Sequence, residues 1–101
     1  MEQVISFLEE LAQHNYKEWF DAHKGEYLKA RDTVAVLAAE MISRLGAIDP
    51  RVRGLRVEDC TYRIYRDLRF SHDKTPYKTH MGIYVCAGGK KSGRAGYYLH
   101  I

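Results

Sequence analysis

Residues 63–78 carry the densest group of charged and hydrogen-bonding side chains in the chain. Within these sixteen positions the basic residues are Arg63, Arg66, Arg69, Lys74 and Lys78. Arginine offers a planar fork of donors that fits a phosphate or a carboxylate, and lysine adds a point charge. Together with the neutral donor of Tyr77, these side chains predict a site that binds an anionic small molecule.

Two acidic residues in the same segment support a purely structural interpretation as well. Asp67 and Asp73 can pair with two of the five basic groups and so hold the loop together. The basic residues still outnumber these acids by three, although glutamates elsewhere can neutralise the surplus. The sequence therefore leaves open both an anion site and an internal ion-pair network, and the two are compatible.

Catalysis is a further alternative for the same segment. Asp67, His72 and Asp73 are candidate acids or bases, with the arginines stabilising charge in the hydrolysis or transfer of a phosphoester. No Ser-His-Asp or Cys-His arrangement of known spacing supports this interpretation. The five histidines show no metal-ligand spacing, so we predict no metal site, and the sequence indicates no particular cofactor.

Charge is unevenly distributed along the chain. Residues 1–50 carry five basic and nine acidic side chains, whereas residues 51–101 carry eleven basic and four acidic ones. A basic half rich in tyrosine matches the composition of nucleic-acid-binding sheets, in which aromatic rings stack on bases. We therefore consider nucleic acid a second possible anionic partner. The tyrosines concerned are Tyr62, Tyr65, Tyr84, Tyr97 and Tyr98.

Hydrophobic periodicity predicts three helices, over residues 2–13, 16–23 and 26–45. Asn15 is the expected N-cap of the second helix, and Gly46 the expected end of the third. Alternating patterns predict strands over 60–66, 79–87 and 95–101, with the last two forming a hairpin. The prediction is an α+β fold with N-terminal helices packed on one face of a mainly antiparallel sheet. Residues 1–101 would form one domain or the N-terminal fragment of one, helical over 1–50 and strand-rich over 51–101.

Several general features bear on location and partners. The chain has no long apolar run and no basic, apolar leader, so we expect a cytoplasmic protein without a membrane partner. Cys60 and Cys86 are expected to be reduced and buried. The last predicted strand has an open edge, which residues beyond Ile101 would complete or a second copy of the chain would pair with.

The central motif resembles that of a known family. The run is Arg63-x-x-Arg66-Asp67-x-Arg69-Phe70-Ser71-x-Asp73-Lys74-x-Pro76-Tyr77-Lys78. It is similar to the signature of a bacterial family catalogued as domain of unknown function 2461, as are the Trp19-Phe20 region and the closing residues 96–101. Members of that family are longer, so the resemblance implies that this chain is their N-terminal part. It implies no activity. Our best hypothesis is binding of a phosphate-bearing ligand or nucleic acid through residues 63–78; the alternatives are a phosphoester hydrolase or transferase, or an interaction module with a structural ion-pair network.

Overall fold

The computed structural model describes all residues, Met1–Ile101, and consists of three helices and one two-stranded sheet. The helices are α1 (Glu2–Gln13), α2 (Lys17–Ala22) and α3 (Lys24–Ile48), and the strands are β1 (Gly82–Cys86) and β2 (Gly96–His100). Two 3-10 turns, Pro50–Val52 and Val57–Asp59, lie between α3 and β1. The predicted α+β class is confirmed. None of the three helices combines the length and the apolar character needed to cross a membrane.

The chain divides into two compact units, and each unit draws on both halves of the sequence. Unit 1 comprises Met1–Thr33 and Arg63–His80, and unit 2 comprises Val34–Tyr62 and Met81–Ile101. Helix α3 therefore contributes its first ten residues to unit 1 and the rest to unit 2.

Aromatic rings dominate the core of unit 1. Helix α1 buries Val4, Phe7, Leu8 and Leu11, which recur at the spacing of one helix face. The Phe7 ring lies 6.1 Å from the ring of Trp19 and 6.0 Å from that of Tyr27, centroid to centroid. Trp19 is half-buried between two imidazoles: its ring stacks at 4.0 Å on His23 and at 5.6 Å on His14.

The predicted capping role of Asn15 is wrong. Tyr16 occupies the N-cap of α2, with an extended backbone and no side-chain cap. The Asn15 amide instead pairs with the backbone of Tyr77, donating from Nδ2 to its carbonyl at 2.8 Å and accepting from its N–H at 3.0 Å. A side-chain amide has a donor and an acceptor, as a peptide group does. Asn15 therefore satisfies both backbone groups of Tyr77, as a neighbouring strand would.

Helix α3 does not end at Gly46 as predicted but continues to Ile48. Gly46 is buried inside the helix, where its carbonyl accepts a hydrogen bond from Nε of Arg53. A Cβ at this position would lie 3.1 Å from Cγ of Arg53. The glycine therefore serves the close approach of an arginine side chain and not the termination of the helix.

The sheet of unit 2 confirms the predicted hairpin. Strands β1 and β2 are antiparallel, in a register that runs from Gly82 opposite His100 to Cys86 opposite Gly96. The third strand predicted over residues 60–66 is wrong, because only two isolated bridges form there. Thr61 pairs with Ile83 of β1 in unit 2, whereas Tyr65 pairs with Tyr77 in unit 1. The segment changes its pairing partner within four residues, so no continuous ladder develops.

The two strands differ sharply in burial. Strand β1 is buried at every position except Tyr84, which is half-buried, whereas all five residues of β2 are exposed. The predicted state of the cysteines is confirmed, since Cys60 and Cys86 are both free and buried. The Cys86 thiol donates to the carbonyl of Gly89 at 2.9 Å and so helps to fold the glycine-rich turn.

Candidate functional site

Residues 63–78 form a loop with two short antiparallel arms in unit 1. The N–H of Arg66 donates to the carbonyl of Pro76 at 3.0 Å, and the N–H of Lys78 donates to the carbonyl of Ile64 at 2.7 Å. Between these two bonds lies the bridge that joins Tyr65 and Tyr77. The arms thus fix the base of the loop, and residues 67–75 extend from it.

Tyr77, one of the predicted ligand donors, anchors this loop in the core of unit 1. Its ring stacks on Phe20 with the centroids 4.1 Å apart, and only 4% of the residue is exposed. Burial raises the pKa of its phenol. Because Asn15 also holds its backbone, Tyr77 is fixed from two sides.

The guanidinium of Arg66 lies inside the loop and is surrounded by its acceptors. Nη1 donates to the carbonyl of Thr75 at 3.0 Å and to its hydroxyl at 2.6 Å, and Nη2 donates to the Ser71 hydroxyl at 3.2 Å. An ion pair at 3.3 Å joins Nη1 to Asp73. Only 26% of the Arg66 side chain is exposed, and its N–H groups form hydrogen bonds that close the loop.

Arg69 and Lys74 are also engaged within the loop. Arg69 donates to both carboxylate oxygens of Asp67, at 3.1 Å from Nε and 2.8 Å from Nη2. Lys74 donates from Nζ to the carbonyl of Leu68 at 2.7 Å. Two of the five basic side chains are thus paired with the two aspartates, and a third binds a backbone oxygen.

The three candidate catalytic residues, Asp67, His72 and Asp73, do not bond to one another, because each aspartate is bonded to a different residue of the loop. The bonds from Arg69 lower the pKa of Asp67, and the N–H and hydroxyl of Thr75 lower the pKa of Asp73. Each carboxylate therefore stays ionised and accepts bonds that shape a turn. His72 is exposed, and no hydrogen bond or ion pair links it to either aspartate. The geometry does not assemble an acid–base pair from the three residues.

Arg63 and Lys78 lie on the two arms at the base of the loop. The backbone bond from Lys78 to Ile64 brings the two arms together at this point, so that Arg63 directly precedes the bonded residue. Burial and then the charge of Arg63 lower the pKa of the Lys78 ammonium. Arg63 itself is exposed. Two basic side chains therefore lie at the base of the loop, and the charge of one acts on the other.

Phe70 is a feature of the loop that charge-based reasoning missed. Its side chain is 93% exposed, and the guanidinium carbon of Arg69 lies 5.8 Å from its ring centroid. The available signal was a single aromatic residue inside a run of charged ones. A fully exposed phenylalanine beside an arginine offers a flat apolar face next to a positive charge.

The histidine, cysteine and acidic side chains do not cluster. No group of three or more of them has a geometry that could hold a metal ion.

Comparison with known proteins gives one result. A family model described as "Conserved hypothetical protein (DUF2461)" matches residues 3–101. No curated protein and no solved structure matches the chain.

Proposed function

We propose a function for this chain, which belongs to the DUF2461 family, from the geometry of its own side chains, because the family description assigns no activity. The proposed function is the binding of an anionic, phosphate-bearing ligand on unit 1, at the surface formed by residues 63–78. Arg63 and Lys78 contact the ligand in this proposal, Arg69 and Lys74 add positive charge around it, and Arg66 and Tyr77 hold the loop in shape.

The position of Arg63 and Lys78 at the base of the loop carries the proposal. Burial, and after it the charge of Arg63, lowers the pKa of the Lys78 ammonium, so an anion that approaches both groups would favour their charged forms. In this proposal a phosphate accepts a charge-assisted hydrogen bond from each of the two groups. The segment as a whole supports this, since five basic and two acidic side chains leave it with a surplus of three positive charges.

The loop network supports the same proposal in a different way. Arg66 closes residues 71–75 around its guanidinium, and Asp73 fixes the turn through Thr75. A site that is rigid before the ligand arrives loses less conformational entropy on binding.

Location in the cytoplasm is part of the proposal and is supported by the two free thiols.

Isothermal titration calorimetry with inorganic phosphate and with a nucleoside monophosphate tests the proposal. We expect Arg63→Gln and Lys78→Gln each to weaken binding about tenfold, the size typical of a lost charged hydrogen bond. Lys17→Gln is the matched control, because Lys17 is an exposed lysine of unit 1 that pairs with Asp21 outside the loop. This control should bind as the unaltered chain does.

Two results would count against the proposal. Equal weakening by Lys78→Gln and Lys17→Gln would mean that only the net charge matters. Absence of binding to either probe would favour the purely structural network.

Turnover of a phosphoester panel by the unaltered chain would favour the hydrolase or transferase alternative, with Asp67, His72 and Asp73 as the first residues to substitute.

A further inference from the structure

Unit 2 carries a cluster of aromatic rings on one face of its sheet, which we call the tyrosine face and define as Tyr62, Tyr84 and Tyr98. Tyr84 and Tyr98 are direct cross-strand partners in the β1–β2 register, and their rings meet edge to face at 6.2 Å. Tyr62 belongs to the same cluster: it follows Thr61, which pairs with Ile83 of β1, and the pKa of its phenol is raised by burial and then by Tyr98 and Tyr84. Tyr62 is 46% exposed and Tyr98 is 54% exposed.

A glycine determines the position of the central ring. A Cβ at Gly82 would lie 2.7 Å from the Tyr98 hydroxyl and 3.1 Å from Cε1 of the same ring. The ring therefore lies across β1 at the one position of that strand without a side chain. The Tyr98 hydroxyl also bonds Nδ1 of His100 at 3.0 Å, which holds the ring in place. This arrangement leaves one face of a fixed aromatic ring toward solvent.

Positive charge flanks the tyrosine face. Residues 82–101 contain Lys90, Lys91 and Arg94 and no aspartate or glutamate. Lys90 places its ammonium 5.9 Å from the ring centroid of Tyr62, and the Tyr84 hydroxyl donates to the carbonyl of Arg94 at 2.6 Å. Lys91 and Arg94 are exposed. Turn residues thus lie beside Tyr62 and Tyr84, whereas the Tyr98 ring lies toward the other end of the strands, over Gly82.

We propose that the tyrosine face of unit 2 binds single-stranded nucleic acid, with one base stacked on Tyr98 and the phosphates next to Lys91 and Arg94. The chemistry of the surface selects this partner. An exposed aromatic ring offers a platform to an unpaired base of any sequence, and the basic turn complements a phosphate backbone. A duplex keeps its bases stacked on one another and so offers no face to the ring. This site is independent of the one proposed on unit 1, because it uses other residues of another unit.

Fluorescence anisotropy with a labelled oligothymidylate of about 12 nucleotides tests this proposal, with an abasic oligomer of the same length as the second probe. The abasic strand has the same phosphates and no bases. The unaltered chain should bind oligothymidylate more tightly than the abasic strand. Tyr98→Ala should weaken oligothymidylate binding about tenfold and leave abasic binding unchanged, since one stacked base is lost.

Two further variants separate the ring from its hydroxyl and from its position. Tyr98→Phe keeps the stacking surface and removes only the bond to His100, so it should bind nearly as the unaltered chain does. Gly82→Val keeps Tyr98 but forces its ring off β1, and should reproduce the selective loss of oligothymidylate binding expected for Tyr98→Ala.

The double variant Lys91→Gln with Arg94→Gln should weaken binding of both probes. The slope of log K against log salt should decrease by about 0.7 for each phosphate contact that is lost.

The result that would overturn the proposal is equal affinity for the two probes, which marks general attraction of a polyanion. Unchanged oligothymidylate binding in Tyr98→Ala would overturn it as well. Melting of each variant, followed by circular dichroism, shows that the fold persists. Lys17→Gln, which removes an exposed positive charge of unit 1 outside both proposed sites, is the control that should leave this binding unaltered.

Discussion

The loop of unit 1 and the hairpin of unit 2 carry the same net charge and use it differently. Residues 63–78 have five basic and two acidic side chains, and residues 82–101 have three basic and no acidic ones, so both have a net charge of +3. In the loop, Arg66, Arg69 and Lys74 bind the loop's own carboxylates, hydroxyls and carbonyls. In the hairpin, Lys91 and Arg94 are exposed beside an exposed ring.

This difference teaches that the charge of a segment is a poor measure of the charge it offers to a ligand. A loop without regular structure leaves many backbone carbonyls unpaired, and arginine and lysine side chains satisfy them. Paired strands have few unpaired carbonyls, so Lys91 and Arg94 of the hairpin turn remain exposed, whereas Lys90 donates to the carbonyl of Glu58. The same contrast holds for tyrosine: Tyr77 of the loop is buried in the core of unit 1, whereas Tyr98 of the hairpin is exposed.

The largest expected difference between the two regions is in the stability cost of removing a tyrosine ring. Tyr77→Ala empties a site stacked on Phe20 and should lower the free energy of unfolding by about 3–5 kcal/mol. Tyr98→Ala removes a ring that is more than half exposed and should cost less than about 1 kcal/mol. Urea denaturation followed by circular dichroism measures both. Similar costs for the two variants would contradict the division between a buried and an exposed tyrosine.

An intermediate effect is expected at Asn15, because the loop depends on this distant residue and the hairpin turn does not. Asn15→Ala leaves the N–H and carbonyl of Tyr77 without their partner and should cost about 2 kcal/mol. Ser92→Ala, which removes one bond to the carbonyl of Ala87 within the turn, should cost about 1 kcal/mol or less.

The variant Asn15→Asp sharpens the same test with a pH dependence. The carboxylate still accepts from the Tyr77 N–H but repels its carbonyl, so the cost at neutral pH should equal or exceed that of Asn15→Ala. Below about pH 4 the protonated acid can donate again and part of the stability should return. A cost that does not change with pH would mean that the Asn15 donor contributes nothing.

The smallest expected effect is the response of the two regions to acid. Asp67 and Asp73 have lowered pKa values in the folded chain, so between the folded and unfolded pKa values the unfolded chain binds more protons. Their contribution to stability is complete above about pH 4 and is lost as the pH falls through the lowered values. The protection factor of the Thr75 amide, which compares its exchange rate with the intrinsic rate at the same pH, should fall over that range. The Tyr98 amide should respond less, because residues 82–101 contain no carboxylate side chain.

Local sequence signals predicted the three helices and the hairpin, but also a strand over residues 60–66 that does not form. Periodicity gave α1 with its observed bounds, and alternation gave the hairpin, because both patterns record which side chains one element buries. Signals at element ends were less reliable. Asn15 satisfies the pattern of an N-cap, and only a partner sixty-two positions away, Tyr77, explains why it does something else. Gly46 likewise depends on Arg53, which no local rule includes.

The sequence pointed to residues 63–78 as the candidate site, which stays a prediction, and it could not predict the partner of each side chain. Five basic groups and two acids allow many pairings, and the chosen ones depend on where the loop carbonyls and hydroxyls lie. Arg66 reaches Ser71 and Thr75 only because the arms of the loop meet at Pro76. The tyrosine face was visible in composition alone. Its geometry required the register that sets Tyr98 opposite Tyr84 and beside Gly82.

The position of Trp19 has a practical consequence for spectroscopy. It is the only tryptophan and it lies in unit 1, stacked between the imidazoles of His14 and His23. Indole absorbs at longer wavelengths than phenol, so excitation at the red edge of the absorption band excites Trp19 in unit 1 and not the tyrosines of unit 2. One unmodified chain thus carries a built-in optical reporter for unit 1, against which any event on the tyrosine face can be timed.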